Sequence, residues 1–220
     1  MVILHHLNNS RSQRILWMLE ELGIDYQLVS YQRDPKTQAA PPELAKVHPL
    51  GKAPVLEDSG LVIAESGVII EHLAEHYRPE LLPPAGSPQH LECSYWLQYA
   101  EASLMPLLVM SHVFHGIEKA PMPDAARPIV QLLSGQVHGS FINPRLSQHL
   151  DFITRHLEAR QWFLGEALSA ADFQMSFPLE ALASRQSDVV SPVIHDYVKR
   201  IHATPSYQRA LNKGGVYAYA

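Results

Sequence analysis

The chain of 220 residues is long enough for one or two domains with a substantial core. Hydrophobic residues make up 46% of it and charged residues 18%, a balance that argues against a disordered protein. Seventeen basic and 22 acidic side chains give a formal net charge of −5, which disfavours a general nucleic-acid binder. The single cysteine, Cys93, excludes an intrachain disulfide and the Cys-x-x-Cys redox and zinc patterns.

Membrane and metal-site signals are also missing from the sequence. No apolar run reaches the ~18–20 residues that span a bilayer, and the N-terminal segment becomes polar too early for a signal peptide. The 13 histidines include no tight ligand pattern such as His-Glu-x-x-His. We therefore expect a soluble cytoplasmic protein with no bound metal and no membrane partner.

The first 80 residues alternate between strand and helix patterns. Val2–Leu7 is a short apolar run that predicts a strand, and Asn8-Asn9-Ser10 can accept hydrogen bonds from free N–H groups at a helix start. Residues 12–22 carry apolar side chains at helical spacing, and Gly23 suits the C-cap. Together these residues predict a β-α unit.

The pattern continues to residue 77. Asp25–Tyr31 reads as a second strand, and one short helix fits after Pro41-Pro42. Residues 53–58 and Leu61–Ala64 predict a hairpin, and the amphipathic segment Glu65–Tyr77 predicts a helix. The predicted order is β-α-β-α-β-β-α.

A segment rich in proline then separates this mixed part from a helical one. Four prolines and one glycine in residues 78–88 are typical of a linker. We predict an α/β domain over residues 1–80, a linker over 81–88 and an all-α domain over 89–220.

Helical patterns account for most of the second part. Residues 87–116 can hold a long helix with a kink at Pro106, and residues 125–160 can hold another that is interrupted or bent around Gly135, Gly139 and Asn143-Pro144. Two shorter helices are predicted over 169–184 and 191–203.

Two short motifs in the first part suggest a binding site. Ala53-Pro54 precedes a predicted strand, and a cis bond there would turn the backbone of Ala53 towards an extended ligand. Glu65-Ser66 begins a helix, where N–H groups attract an anion and the glutamate can accept from an amine. The pair could thus recognise the zwitterionic end of an amino acid. Taken singly, each motif is more often a strand boundary or a helix cap.

In this order, these features closely resemble the glutathione S-transferase family over essentially the whole chain. The resemblance includes the Pro54 motif, Glu65-Ser66, the linker and the segment Phe163–Leu179 of the helical part. It implies a thioredoxin-like N-terminal domain followed by an all-helical C-terminal domain. Within that segment, Ser169-x-x-Asp172 fits a structural N-capping box.

The resemblance also implies roles for individual residues. Glu65 and Ser66 match the pair that holds the γ-glutamyl amine and carboxylate of glutathione. Ala53, before Pro54, matches a residue whose backbone pairs with the cysteinyl part, although the family often has valine or isoleucine there. Lys52 matches a position that often faces the glycine carboxylate, with a solvated loop lysine as the alternative.

The group that activates the thiol is more open. The family places a Tyr, Ser, Cys or Asn near the start of the first helix, and no tyrosine or cysteine lies there in this chain. Ser10 is the first candidate, with Asn9 and Ser12 as alternates. Alternatively, all three cap the helix and backbone N–H groups suffice.

The implied activity is that of a transferase in detoxification, with glutathione as co-substrate, a small hydrophobic electrophile as second substrate and a homodimer as assembly. The alternatives are glutathione-dependent peroxide or disulfide reduction, and a non-catalytic glutathione-binding protein. Cys93 is expected to be a buried hydrophobe. Met105, Leu108, Val109 and His112 form a stripe that favours a core or dimer contact over a substrate cleft.

Overall fold

A computed structural model describes residues 1–185 and 188–220 of the chain. The strands are β1 (Val2–Leu7), β2 (Tyr26–Tyr31), β3 (Val55–Asp58) and β4 (Leu61–Ala64). The helices are α1 (Ser12–Leu22), α2 (Leu44–Val47), α3 (Ser66–Tyr77), α4 (Pro88–Tyr99), α5 (Met105–Lys119), α6 (Arg127–Val137), α7 (Asn143–Leu157), α8 (Ala170–Arg185), α9 (Pro192–His202) and α10 (Pro205–Gly214).

The four strands form one mixed sheet in the order β2-β1-β3-β4. The pair β1–β2 is parallel, and the pairs β1–β3 and β3–β4 are antiparallel. Ser59 and Gly60 both have positive φ angles, which suits the tight turn of the β3–β4 hairpin. This thioredoxin-like arrangement confirms the predicted fold class, with an N-terminal sheet followed by a mostly helical remainder.

Helix α1 connects the sheet to the helical part, and almost all of its side chains are buried. Gly23 ends it in the left-handed conformation, with φ at 66°, as expected for a C-cap glycine. On the side of α1 that faces the helical part, the ring centroid of Trp17 lies 4.5 Å from that of Phe173 in α8 and 5.8 Å from that of Tyr207 in α10. Burial on both sides therefore fixes the rotation of α1 about its axis.

The long helices contain π-helical turns next to their prolines. Ala100–Leu104 joins α4 to α5 just before Pro106, and His138–Ile142 joins α6 to α7 just before Pro144. A proline inside a helix has no N–H for the carbonyl four residues earlier, and a π turn is one way to accommodate that loss. The interruptions predicted at these prolines take this form.

Helix α10 was not predicted from the sequence. The Thr204 side chain accepts from the N–H of Tyr207, and Pro205 is the first helical residue, so a cap signal was present. The capping box of α8 also differs in detail from the prediction. The Asp172 carboxylate accepts from the N–H of Ser169 as expected, but the Ser169 hydroxyl donates to that carboxylate and does not cap the Asp172 amide.

Candidate active site

A polar groove of about 210 Å³ lies where the sheet meets the helical part. The five residues predicted to bind glutathione all line it. The other lining residues come from the loop before α1, the loop after α2, the end of β4 and the first π-helical turn. The lining residues are Arg11, His48, Leu50, Lys52, Ala53, Pro54, Ala64, Glu65, Ser66 and Glu101.

One side of the groove is formed by the start of β3 and the start of α3. The Ala53–Pro54 peptide bond is cis, and Pro54 is buried directly before β3. Glu65 is exposed and has a φ of 69°, and Ser66 is the first residue of the 12-residue helix α3. N–H groups at such a helix start are free to bind an anion.

Behind Ser66 lies an ionic network of one buried and two half-buried side chains. The fully buried Arg14 guanidinium donates from Nη2 to the Ser66 hydroxyl at 2.7 Å and to the Glu101 carboxylate. Arg11 also donates to Glu101, from Nε at 2.8 Å. Burial of Glu101 opposes its ionisation, but the charges and hydrogen bonds of the two arginines outweigh this and lower the pKa of its carboxyl. Two guanidinium groups around one carboxylate leave the network with a net positive charge.

An apolar cleft of about 490 Å³ adjoins the polar groove. Arg11 and Glu101 line both cavities, and α5 supplies the other walls of the cleft: Met105, Pro106, Val109, Met110 and Val113. Two residues of the stripe predicted from the sequence, Met105 and Val109, line this cleft, and the role of the stripe stays a prediction.

The three candidates for thiol activation lie at the start of α1 and line neither cavity. The Ser10 and Ser12 hydroxyls are buried and 2.8 Å apart. Ser12 Oγ also accepts from the N–H of Leu7, and Ser10 Oγ accepts from the N–H of Ser12. Asn9 is half-buried, and its Oδ1 accepts from the N–H of Ala218. Their assignment stays a prediction.

Sequence reasoning missed Arg11, Glu101 and most of the cleft. Arg11 lies between the candidates Ser10 and Ser12, but no local spacing links it to a glutamate 90 positions away.

The C-terminal tail packs against the helical part: Tyr217 is buried, contacts Met105 and Phe177, and donates to Glu180 at 2.7 Å. Cys93 is buried as expected, and burial raises the pKa of its thiol to about 12.

Within residues 1–185 and 188–220, no group of three His, Cys, Asp or Glu side chains is arranged to hold a metal ion. None of the helices in these two ranges has the length and apolar character needed to cross a membrane.

Comparison with known proteins identifies the family. Residues 1–75 match the family model described as the glutathione S-transferase N-terminal domain. Glutathione S-transferase 3 of Schizosaccharomyces pombe is 38% identical over 91% of this chain and 81% of its own length. Glutathione S-transferase 1 of Saccharomyces cerevisiae is 30% identical over 95% and 93%.

A solved structure supports the same conclusion. A glutathione S-transferase from Actinobacillus pleuropneumoniae superposes with a TM-score of 0.77 at 33% identity, covering 97% of this chain and 93% of that one. The chain therefore belongs to the glutathione S-transferase family of enzymes.

Proposed function

We propose that this enzyme binds reduced glutathione in the polar groove and presents the thiolate to a small apolar electrophile in the adjoining cleft. The observation that carries the proposal is the shared wall of the two cavities, formed by Arg11 and Glu101. A polar cavity of about 210 Å³ opening onto an apolar one of about 490 Å³ suits a reaction between a charged peptide and an apolar partner.

The groove offers partners for the charged groups at both ends of glutathione. Ser66 and the N–H groups at the start of α3 bind the γ-glutamyl carboxylate, and Glu65 accepts from the neighbouring ammonium group. The backbone of Ala53 pairs with the cysteinyl part beside Pro54. Lys52 is exposed at the groove and binds the glycine carboxylate. Together these contacts place the sulfur next to the start of α1.

The enzyme's chemical task is to ionise the thiol and hold it in place. A free thiol titrates near ~8.5, so only a few per cent is ionised at neutral pH. The helix dipole and hydrogen bonds to the charged sulfur favour the thiolate. Ser10 is the first candidate from the sequence for this hydrogen bond, and Asn9 and Ser12 are the alternates.

The same proposal covers assembly and cellular role. We infer a cytoplasmic homodimer that acts in detoxification and requires no metal. Apolar side chains exposed on β4 and α4, among them Leu61, Val62, Leu91 and Tyr95, are available for a contact between two copies. Light scattering should give the mass of a dimer at micromolar concentration, and a monomer would contradict the assembly.

Calorimetry with reduced glutathione tests the site. Glu65→Gln removes the charged acceptor for the ligand ammonium, and loss of such a hydrogen bond costs roughly 1.5–3 kcal/mol. We expect affinity to fall by about tenfold to somewhat over a hundredfold. Glu75→Gln is the matched control, because Glu75 lies on the same helix, is exposed and does not line the groove. Unchanged binding by Glu65→Gln would show that the assignment is wrong.

Product analysis separates the candidate activities. The enzyme is incubated with glutathione and either an aromatic halide or an organic hydroperoxide. A thioether product supports conjugation, whereas oxidised glutathione formed with the hydroperoxide would indicate peroxide reduction. Calorimetric binding of glutathione without turnover of any member of such a panel would favour a non-catalytic binding protein.

A further inference from the structure

Arg11 occupies a place at the start of α1 that the hydroxyl candidates do not. Among residues 9–12, it alone lines the polar groove, and it also lines the apolar cleft. If glutathione lies along Ala53 and Pro54, its sulfur reaches the junction between these cavities, which is where Arg11 lies. The side chain is therefore placed to meet both the thiol and its reaction partner.

The Arg11 guanidinium is held through its Nε, whereas its two Nη groups are available to a ligand. Its Nε donates to both carboxylate oxygens of Glu101, at 2.8 and 3.0 Å. In the two described ranges of the chain, no protein group accepts from its Nη1 or Nη2. A guanidinium has five N–H donors and stays protonated at any physiological pH. Four donors thus remain for a ligand.

The surroundings hold Arg11 in this position. Arg14 lies behind Glu101 and donates to it from a fully buried guanidinium, so the carboxylate cannot turn away. The ring of Phe177 packs against both arginines, with its centroid 5.6 Å from Cζ of Arg11 and 5.7 Å from Cζ of Arg14. Arg11 is therefore preorganised before a ligand binds.

The hydroxyls of Ser10 and Ser12 are engaged elsewhere. Ser12 Oγ lies 2.9 Å from Nδ1 of His6 and 3.1 Å from the carbonyl oxygen of Leu7, and it also contacts Ser10 Oγ. These contacts stabilise the β1–α1 connection, so turning either hydroxyl towards a ligand would break buried hydrogen bonds.

We propose that the Nη groups of Arg11 donate hydrogen bonds to the sulfur of bound glutathione and stabilise its thiolate. This inference rests on the proposed function, because it requires glutathione in the polar groove. The S–H bond breaks with its electron pair left on sulfur, and the proton passes to water. Arg11 stays protonated throughout. The thiolate then attacks the electrophile, whose leaving group departs with its own electron pair.

The test compares Arg11→Gln with wild type by two measurements. Ultraviolet absorbance of the bound thiolate against pH gives the pKa of the thiol, and calorimetry with S-methylglutathione gives affinity without any thiol. We expect the thiol pKa to rise by about one unit, which lowers the thiolate population and kcat/KM about tenfold at pH values below the thiol pKa. The rate should recover as the pH rises. Affinity for S-methylglutathione should change less than twofold.

Control variants make the outcome decisive. Arg155→Gln removes an exposed arginine of α7 and should leave both measurements unchanged. Arg11→Lys keeps the positive charge but not the planar donors, and it serves if Arg11→Gln does not fold; we expect a smaller rise in pKa.

An unchanged thiol pKa in Arg11→Gln overturns the inference. A rise in Ser10→Ala, Asn9→Ala or Ser12→Ala instead would assign the role to that residue. A wild-type enzyme that does not bind S-methylglutathione would overturn the proposed function as well, which distinguishes the two failures.

Discussion

The capping box of α8 supports a strong prediction about folding. The carboxylate of Asp172 is fully buried and accepts four hydrogen bonds. The donors are the N–H groups of Phe163 and Ser169, both at 2.8 Å, the Ser169 hydroxyl at 2.7 Å and the Tyr197 hydroxyl at 2.9 Å. Asp172→Ala removes the acceptor for all four donors.

The loss of folding stability in Asp172→Ala depends on which of the four donors can find another hydrogen-bond partner. The two hydroxyls can rotate, but the two backbone N–H groups cannot, and a buried donor without a partner costs about 1–3 kcal/mol. With the cavity left behind, we expect the free energy of unfolding to fall by about 3–5 kcal/mol. For a chain of this length, the melting temperature should fall by roughly 6–20 °C.

Thermal and urea unfolding followed by circular dichroism measure this loss. Asp196→Ala is the control, because Asp196 is exposed and its ion pair with Lys199 should contribute less than about 1 kcal/mol. A loss below about 1 kcal/mol in Asp172→Ala would refute the argument.

The effect of pH gives an independent check. Burial raises the pKa of Asp172 from its ordinary value of 3.8 to about 6, although its four donors act in the opposite direction. The folded state therefore binds this proton more tightly than the unfolded state does. The stability that Asp172 contributes is greatest below about pH 4 and declines as the pH rises to about 6. The stability gap between wild type and Asp172→Ala should narrow over that window, and a widening gap would contradict the assignment.

Three further outcomes are expected. Cys93, whose buried thiol has a pKa of about 12, should react with a thiol reagent only after unfolding, and fast labelling of the native protein would contradict its burial. Gly214→Ala should lower the free energy of unfolding by about 1–3 kcal/mol, because its Cβ would lie 2.9 Å from atoms of Gln13 and Leu16; a melting temperature equal to wild type would refute this contact. Val113→Asp should lower kcat/KM for an apolar electrophile about tenfold without changing glutathione affinity, and unchanged kinetics would exclude the cleft as the substrate site.

Local chemistry was enough to predict most of the N-terminal elements. The strand pattern of Val2–Leu7, the C-cap at Gly23 and the hairpin turn at Ser59-Gly60 depend on neighbouring residues, and each is found in the structure. The prolines of the long helices gave the place of an interruption, but the π-helical form depends on how the whole helix packs. Helix α10 was missed even though Thr204 and Pro205 mark its start.

The sequence by itself determined the family resemblance and the residues along one side of the groove. Lys52, Ala53 and Pro54 are consecutive, and so are Glu65 and Ser66, so a short motif is enough to identify them. The tertiary structure decided which side chain at the start of α1 faces the cavities.

That choice depends on the rotation of α1, which is set by burial against the sheet, α8 and α10. It also depends on Glu101, which lies 90 positions from Arg11 and contacts it only when the helical part packs against the N-terminal part. Spacing along the chain describes neighbours within a few turns of a helix, whereas a contact across such a distance exists only once both elements share one core.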